Sequence, residues 1–224
     1  MPGPGWLTRS LADVPAADDW LSPRERAALA GLRPERRRSD WRLGRWAAKA
    51  ALAAWSEGSA GEVEIVASED GAPEAFVDGE RARAALSLSH RNGRALAIVA
   101  DAGVAIGCDL EAVERRSGAF VRTWLAPDER ASVIAAGEAE GARLANLFWT
   151  AKEAAAKARR EGLRLDVREA VVSLEGDRPG QGEWRPLRVR WEVEGVTAHG
   201  WWRQEPGWVF ACVSERPTPA PARL

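Results

Sequence analysis

The sequence predicts an α+β (α/β) fold in which the two halves of the chain follow the same pattern. In each half, segments of helical pattern come first, strand-like segments follow, and a hairpin closes the half. Both hairpins have turn residues between apolar runs, Asn92-Gly93 in the first and Pro206-Gly207 in the second. This pattern favours two similar subdomains with a cleft between them and a joint at 102–106, with a single α+β domain as the alternative.

The first half begins with a helix at Ser22-Pro23, because serine is a good N-cap and proline fits the first helical position. A longer helix is predicted over 36–55, with the sequence RRRSDWRLGRWAAKAALAAW. Strand-like segments at 63–67 and 86–88 lead into the first hairpin, ALSLSHRNGRALAIVAD.

The second half begins with the strand VAIGCDLEAV. The later segments read as two helices and two strands, at 127–136, 144–160, 170–174 and 187–193. The closing hairpin is HGWWRQEPGWVFACVSE, and the Pro-rich segment after Val213 predicts a disordered tail.

Composition argues against several classes of protein. The 224 residues carry 32 basic and 33 acidic side chains, a net charge of −1. The chain therefore has no excess of positive charge that would attract it to nucleic acid or to a membrane surface. No stretch approaches the roughly 20 apolar residues that span a bilayer. Cys108 and Cys212 lie far apart without metal-ligand spacing, which is typical of core residues in a reduced, cytoplasmic protein.

The segment FWTAKEAAAKA, residues 148–158, is rich in strong helix formers. At about 100° per residue, Lys152, Glu153 and Lys157 share one face with Trp149. This face places a carboxylate between two amines. A solvated Glu153–Lys157 pair, worth roughly 0.2–0.5 kcal/mol, is the alternative interpretation.

The strand around GCDLE carries two acidic residues on one side. Strand alternation places Gly107, Asp109 and Glu111 together, and two like charges at this spacing repel each other unless a cation intervenes. Mg²⁺ prefers a few carboxylates together with substrate phosphates. Joined with Glu153 and its lysines, these carboxylates predict a phosphoryl-transfer site, and an edge strand with a solvated outer face is the alternative.

The first half supplies candidate anion-binding residues. Ser89 and His90 in SLSHRNG can both donate hydrogen bonds to an anion. Arg45 and Lys49 share a face of the predicted helix, and a phosphate-rich ligand would use such residues, although basic residues on a helix face are usually only solvated.

These motifs together resemble those of 4′-phosphopantetheinyl transferases. GCDLE and FWTAKEAAAK resemble the two hallmark motifs of that family, and SLSHRNG resembles the Ser-His motif of its larger, monomeric type, exemplified by the surfactin-synthetase activator. The similarity extends from Ser22 through WRLGRWAAK, the step at Gly71, Ala72 and Pro73, and WLAPDE, in family order.

The resemblance implies two subdomains related by pseudo-twofold symmetry, at 1–103 and 104–214, with the active site in the cleft between them and a disordered tail at 215–224. It implies transfer of the phosphopantetheine arm of coenzyme A to a serine of an apo acyl or peptidyl carrier protein. The products would be holo-carrier and adenosine 3′,5′-bisphosphate. A non-catalytic module that binds carrier proteins or nucleotides is the alternative function.

Residue roles follow from the matched motifs. Asp109, Glu111 and Glu153 match ligands of Mg²⁺, for which Mn²⁺ could substitute. Glu153 also matches a general base, Lys157 matches the lysine that stabilises the pyrophosphate, and Lys152 matches a supporting neighbour. Glu129 in WLAPDE matches an acidic position near the metal.

The coenzyme A side is implied in the same way. Arg45 and His90 match residues that bind the 3′-phosphate, with Ser89 and Lys49 beside them. The Gly71, Ala72 and Pro73 step matches the backbone that contacts adenine. The chain departs from the pattern at three positions where lysine is common in the family, and these are Glu25, Ala28 and Ala72.

Overall fold

The structure, a computed structural model, describes residues 3–160, 166–176 and 182–224. It confirms the α+β class, and the described residues form five α-helices and three β-sheets. The chain divides into a first unit, Met1–Val104 with Ala222–Leu224, and a second unit, Ala105–Pro221. Among the described helices, none has the length and apolar character to cross a membrane.

The first unit contains two helices and two sheets. Its helices are α1 (Pro23–Ala30) and α2 (Glu35–Ser56), and its strands are β1 (Gly5–Ser10), β2 (Val63–Ala67), β3 (Pro73–Val77), β4 (Glu80–Arg81), β5 (Ala84–Arg91), β6 (Arg94–Asp101) and β12 (Ala222–Arg223). The strand orders are β12-β1-β6-β5 and β2-β3-β4.

Local chemistry explains the boundaries of these elements. The Ser22 hydroxyl accepts a hydrogen bond from the amide of Glu25, whose carboxylate accepts one from the amide of Ser22, so α1 begins with a capping box. The β5–β6 hairpin turns at Asn92 and Gly93, both with positive φ, as the predicted Asn-Gly turn requires. Buried Leu43, Ala47 and Ala51 of α2 belong to the apolar core that this unit forms with its strands.

The second unit contains three helices and one antiparallel sheet. Its helices are α3 (Gly118–Trp124), α4 (Pro127–Ala135) and α5 (Glu138–Arg159), and its strands are β7 (Ile106–Ala112), β8 (Ala170–Leu174), β9 (Arg185–Trp191), β10 (Val196–Glu205) and β11 (Trp208–Ser214). The strand order is β7-β11-β10-β9-β8, and α5 packs against β7 and β11.

Gly107 allows α5 to approach β7 unusually closely. A Cβ atom at this position would lie 2.0 Å from the carbonyl oxygen of Ala154 and 2.5 Å from the amide of Ala158. The sequence suggests that Gly107 leaves room for a ligand. That expectation is wrong, because the helix backbone occupies the space.

The C-terminal segment is structured where the sequence predicts disorder. Ala222 and Arg223 pair in parallel with β1, and Leu224 packs against Gly5. The indole of Trp201 also donates a hydrogen bond to the carbonyl of Thr218 at 3.0 Å. Proline-rich composition does not prevent a short extended segment from pairing with an open sheet edge, which explains the difference.

Each unit contains a buried ion pair between a helix-start glutamate and a lysine of its long helix. In the first unit, the Lys49 ammonium lies 2.7 Å from Glu25 and donates to the Trp20 carbonyl at 2.8 Å. In the second unit, the Lys152 ammonium lies 2.8 Å from Glu129 and donates to the Trp124 carbonyl. Both lysine side chains are fully buried.

The two ion pairs are embedded in the same sequence pattern. Trp-Leu-x-Pro-x-Glu occurs at 20–25 and 124–129, and Trp-x-Ala-Lys occurs at 46–49 and 149–152. Each glutamate also accepts a hydrogen bond from a strand amide, that of Ile65 in one unit and that of Val172 in the other. The repetition supports duplication of one ancestral unit, while the predicted twofold relation between the units stays a prediction.

Candidate active site

The predicted acidic residues meet where β7 packs against α5. Asp109 and Glu111 lie on the same side of β7 as Gly107, which contacts the α5 backbone. Asp109 is only 6% exposed and Glu111 only 9% exposed, so the alternative in which this face of β7 is solvated is wrong. Two carboxylates are thus buried beside the helix that carries Glu153 and Lys157.

Lys157 binds the strand rather than its neighbour on the helix surface. Its ammonium donates hydrogen bonds to Asp109 at 2.8 Å and to the carbonyl oxygen of Cys108 at 3.1 Å. Burial alone would lower the pKa of Lys157, but the charges of Asp109, Cys108 and Glu153 and the hydrogen bond to Asp109 together raise it. Lys157 therefore remains a cation, and 34% of its side chain is exposed.

The pKa of Glu153 is raised above its ordinary value. Burial is the largest cause, the negative charges of Asp109 and Glu111 add to it, and Lys157 acts in the opposite direction. The Asp109 and Glu111 carboxylates are therefore close enough to Glu153 to act on its pKa. A raised pKa makes the Glu153 carboxylate a better proton acceptor, which suits a general base.

Glu111 is paired with Arg116, a residue that the sequence does not single out. The Arg116 guanidinium lies 3.0 Å from the Glu111 carboxylate and donates to the side-chain oxygen of Asn146 at 2.6 Å. Two arginines at 115–116 follow β7 in the sequence, and they indicate that a basic residue lies near its carboxylates. The pattern could not show which arginine turns inward; Arg115 instead pairs with exposed Glu138.

The donor chemistry of the carboxylates fits Mg²⁺, although they do not form a closed cage. Among residues 3–160, 166–176 and 182–224, no group of three or more His, Cys, Asp or Glu side chains could hold a metal ion as placed. Cations of the chain contact two of the carboxylates, Asp109 and Glu111. Because Mg²⁺ commonly takes one or two carboxylates with water and substrate phosphates, the donor set remains suitable.

The structure corrects the expectation for Lys152. Its fully buried ammonium contacts Glu129 and the Trp124 carbonyl, and burial lowers its pKa although Glu129 opposes this effect. Lys49 makes the equivalent contacts in the first unit, where the next residue is Ala50 rather than a glutamate. Lys152 therefore holds α5 in place, and any support that it gives to Glu153 is indirect.

Glu129 also differs from the expectation that it lies near a metal. Its carboxylate accepts hydrogen bonds from the amides of Ala126 and Val172, both at 2.7 Å, and pairs with Lys152. These contacts engage both carboxylate oxygens. Glu129 thus joins the start of α4 to β8 and to α5.

The structure places Lys49, which the resemblance puts beside the coenzyme A-binding residues, inside the first unit. Its ammonium is buried against Glu25 and the Trp20 carbonyl, because this part of α2 faces the start of α1. Glu25, one of the departures from the family pattern, is therefore the internal partner of Lys49. Helical spacing alone could not distinguish this buried lysine from a solvated one.

His90 lies against α2 beside Gly44, whereas buried Ser89, the preceding residue of β5, faces the opposite side of the strand. A Cβ atom on Gly44, the neighbour of Arg45, would lie 3.4 Å from the ring of exposed His90. The Arg45 guanidinium stacks 4.8 Å from the Trp41 ring, and burial lowers its pKa while Glu25 acts in the opposite direction. Within the described part of the chain, its Nε has no hydrogen-bond partner.

The Gly71, Ala72 and Pro73 step forms a hydrogen-bonded turn before β3. Gly71 has a φ of +83°, and its amide donates to the carbonyl of Ser68. The Ala72 amide donates to Asp70, and its carbonyl accepts from the amide of Ser68. The turn is therefore held by local hydrogen bonds.

Comparison with known proteins finds one family. Residues 105–213 match the model described as the 4′-phosphopantetheinyl transferase superfamily. No curated protein matches the chain significantly. The matched range is slightly less than half of the chain, and it contains Asp109, Glu111, Glu153 and Lys157.

Proposed function

We propose, from the premise that residues 105–213 are similar to the 4′-phosphopantetheinyl transferase superfamily, that the protein loads carrier proteins. It would transfer the phosphopantetheine arm of coenzyme A to a serine of an apo acyl or peptidyl carrier protein. The products would be holo-carrier and adenosine 3′,5′-bisphosphate. We further propose that it acts as a monomer of the larger, surfactin-synthetase-activator type.

The observation that carries this proposal is the coupled group of charges between β7 and α5. Asp109 and Glu111 both act on Glu153 there, and the Lys157 ammonium contacts Asp109 at 2.8 Å. A purely structural role would not require two acidic residues of one strand face to be buried beside a third, because like charges repel. Phosphoryl transfer uses carboxylates that hold a cation together with an ammonium group, since negative charge that develops on the phosphate oxygens must be stabilised.

Glu153 has the properties of the base in the proposed reaction. The serine oxygen forms a bond to the phosphorus that carries pantetheine, and the bond from that phosphorus to the bridging pyrophosphate oxygen breaks. The serine proton passes to the Glu153 carboxylate, directly or through water. Without a bound cation, burial and the negative charges of Asp109 and Glu111 raise the pKa of Glu153.

Lys157 is proposed to stabilise the negative charge that develops on the leaving bisphosphate. Its raised pKa keeps the ammonium charged, and its partial exposure leaves it accessible to a ligand. Interactions that strengthen as charge develops lower the barrier rather than only tightening binding. The contact with Asp109 orients the ammonium before a substrate arrives.

Asp109, Glu111 and Glu153 would hold the divalent cation, Mg²⁺ or Mn²⁺. When bound, such an ion supplies positive charge to the oxygens of the pyrophosphate. The first two carboxylates contact Lys157 and Arg116, which partly offset the negative charge of the cluster.

For the first unit, we propose that Arg45 and His90 bind the 3′-phosphate of coenzyme A, with Ser89 beside them. The partly buried Arg45 guanidinium supports this role, since charge-assisted hydrogen bonds to phosphate are strong in protected surroundings. The hydrogen-bonded turn at residues 71–73 is proposed to contact adenine. We leave Lys49 out of this proposal, because its ammonium is buried in an ion pair with Glu25.

Mass spectrometry tests the proposal. Candidate apo-carriers from fatty-acid, polyketide and nonribosomal-peptide systems are incubated with the protein, coenzyme A and Mg²⁺. We expect at least one carrier to gain the mass of a single phosphopantetheine group at its serine. Binding of carriers without any gain in mass would instead indicate a non-catalytic binding module.

A further inference from the structure

The loop between β7 and α3 supplies a cation whose position is fixed on three sides. The Arg116 side chain is 14% exposed and lies 3.0 Å from the Glu111 carboxylate. Its Nε donates to Asn146 at 2.6 Å, and its guanidinium stacks over the Phe120 ring at 4.8 Å. A weaker contact to the half-exposed Glu114 carboxylate, at 3.6 Å, completes its surroundings.

Asn146 is itself held in one orientation. It is fully buried on α5, and its side-chain amide donates to the carbonyls of Glu114 and Ala142, both at 2.7 Å. The side-chain oxygen accepts from the Arg116 Nε, so the side-chain amide nitrogen and oxygen of Asn146 both have partners. Asn146 therefore anchors the arginine to the same helix that carries Glu153.

This arrangement depends on the shape of a guanidinium. One edge nitrogen binds Asn146 while another faces Glu111, and the planar group stacks on an aromatic ring. A lysine ammonium is a compact point charge on a flexible stem, so it cannot make these contacts together. The contact with Glu111 is an ion pair outside hydrogen-bond geometry, so the anchored guanidinium holds a positive charge at a fixed place beside that carboxylate.

We propose that Arg116, anchored by Asn146, is a positioning residue that orients Glu111 toward the divalent cation. The inference rests on the proposed metal-ligand set. Outer groups that orient ligands contribute about 10–100-fold in metal affinity or activity. An opposite consequence follows if Arg116 is only a competing positive charge, because its removal would then tighten cation binding.

Direct measurement of Mn²⁺ binding distinguishes these roles. The dissociation constant is measured by electron paramagnetic resonance on the full chain without coenzyme A, for the wild type, Arg116→Lys and Arg116→Gln. We expect Arg116→Lys to weaken binding about tenfold although charge is kept. Arg116→Gln should also weaken it, since positioning is lost there too.

Arg143→Lys is the matched control. Arg143 is 12% exposed, binds Glu140 at 2.9 Å through its Nε and stacks over the Trp202 ring at 5.3 Å. Arg143 resembles Arg116 in its contacts and lies in the same unit, but the contacts given for it are with Glu140 and Trp202 and not with Asp109, Glu111 or Glu153. The Mn²⁺ affinity of Arg143→Lys should therefore equal that of the wild type, and thermal melts identify any general loss of folding.

Unchanged affinity in Arg116→Lys, or tighter binding in Arg116→Gln, would overturn the proposal. A wild type without Mn²⁺ binding would also overturn it. The transfer assay is read separately. If the wild type transfers phosphopantetheine and the Arg116 variants bind Mn²⁺ as tightly as it does, only the positioning role is rejected. If the wild type transfers nothing but Arg116→Lys binds Mn²⁺ more weakly, only the proposed function is rejected.

Discussion

Removing either buried lysine should destabilise the protein strongly. Lys152→Met preserves much of the alkyl chain but leaves the Glu129 carboxylate buried without its cation. Breaking a buried pair from one side costs about 3–5 kcal/mol, and the fully buried lysine places this pair in that range. Lys49→Met should have a loss of similar size in the first unit, because its contacts are the same.

Urea unfolding of both variants measures this effect. Circular dichroism follows the transition, and a separate transition for each unit would assign the loss to the unit that carries the substitution. The double variant Glu129→Gln with Lys152→Met should be more stable than Lys152→Met alone, because the uncompensated charge is gone. Lys157→Met serves as a control and should lose less stability, since 34% of the Lys157 side chain is exposed whereas Lys152 and Lys49 are fully buried.

If both variants lose less than about 1 kcal/mol of unfolding free energy, the buried ion pairs do not stabilise the fold as argued, because that is the range of a surface ion pair. Lys49→Met also tests the corrected role of this residue. Where the variant is folded, its KM for coenzyme A should match the wild type. A large rise in KM with unchanged stability would return Lys49 to the ligand-binding set.

Three further predictions concern the candidate site. Lys157→Ala should lower the turnover number roughly 10²-fold, a barrier increase of about 2.7 kcal/mol, and unchanged steady-state turnover would contradict its role. Arg45→Ala and His90→Ala should each weaken coenzyme A binding about tenfold, with little effect on dephospho-coenzyme A in calorimetry; equal losses would exclude a 3′-phosphate contact. Glu153→Gln should raise the free energy of unfolding at neutral pH in metal-free buffer, because the raised pKa of Glu153 makes its ionisation less favourable in the folded state. That gain should vanish below the ordinary value of 4.5, where the carboxyl is protonated in both states, and a gain that persists there would have another cause.

The regular elements with strong local signals were predictable. The predicted helix over 36–55 corresponds to Glu35–Ser56, and the Asn-Gly hairpin forms as expected. The helix predicted over 144–160 begins earlier, at Glu138, since Gly137 precedes it without a side-chain cap to mark the start. The short strand Gly5–Ser10 has no clear alternation and was missed, although it is an inner strand of its sheet.

The identity of the acidic residues was predictable, but their partners were not. Helical spacing suggests a Glu153–Lys157 pair, whereas Lys157 contacts Asp109 because Gly107 brings α5 onto β7. Such an approach depends on tertiary packing, which no local pattern encodes. The repeated Trp-Leu-x-Pro-x-Glu and Trp-x-Ala-Lys segments did contain a usable signal, since a lysine repeated at one structural position in both halves indicates a role in the fold.

The mass of an apo-carrier after incubation with wild type and with Asp109→Ala tests the central claim most directly. Coenzyme A and Mg²⁺ are supplied in excess, and both proteins are first shown to have similar melting curves. We predict that the wild type adds one phosphopantetheine group to the carrier serine and that Asp109→Ala adds none. An unmodified carrier with wild type, or near-normal modification by a folded Asp109→Ala protein, would contradict the account.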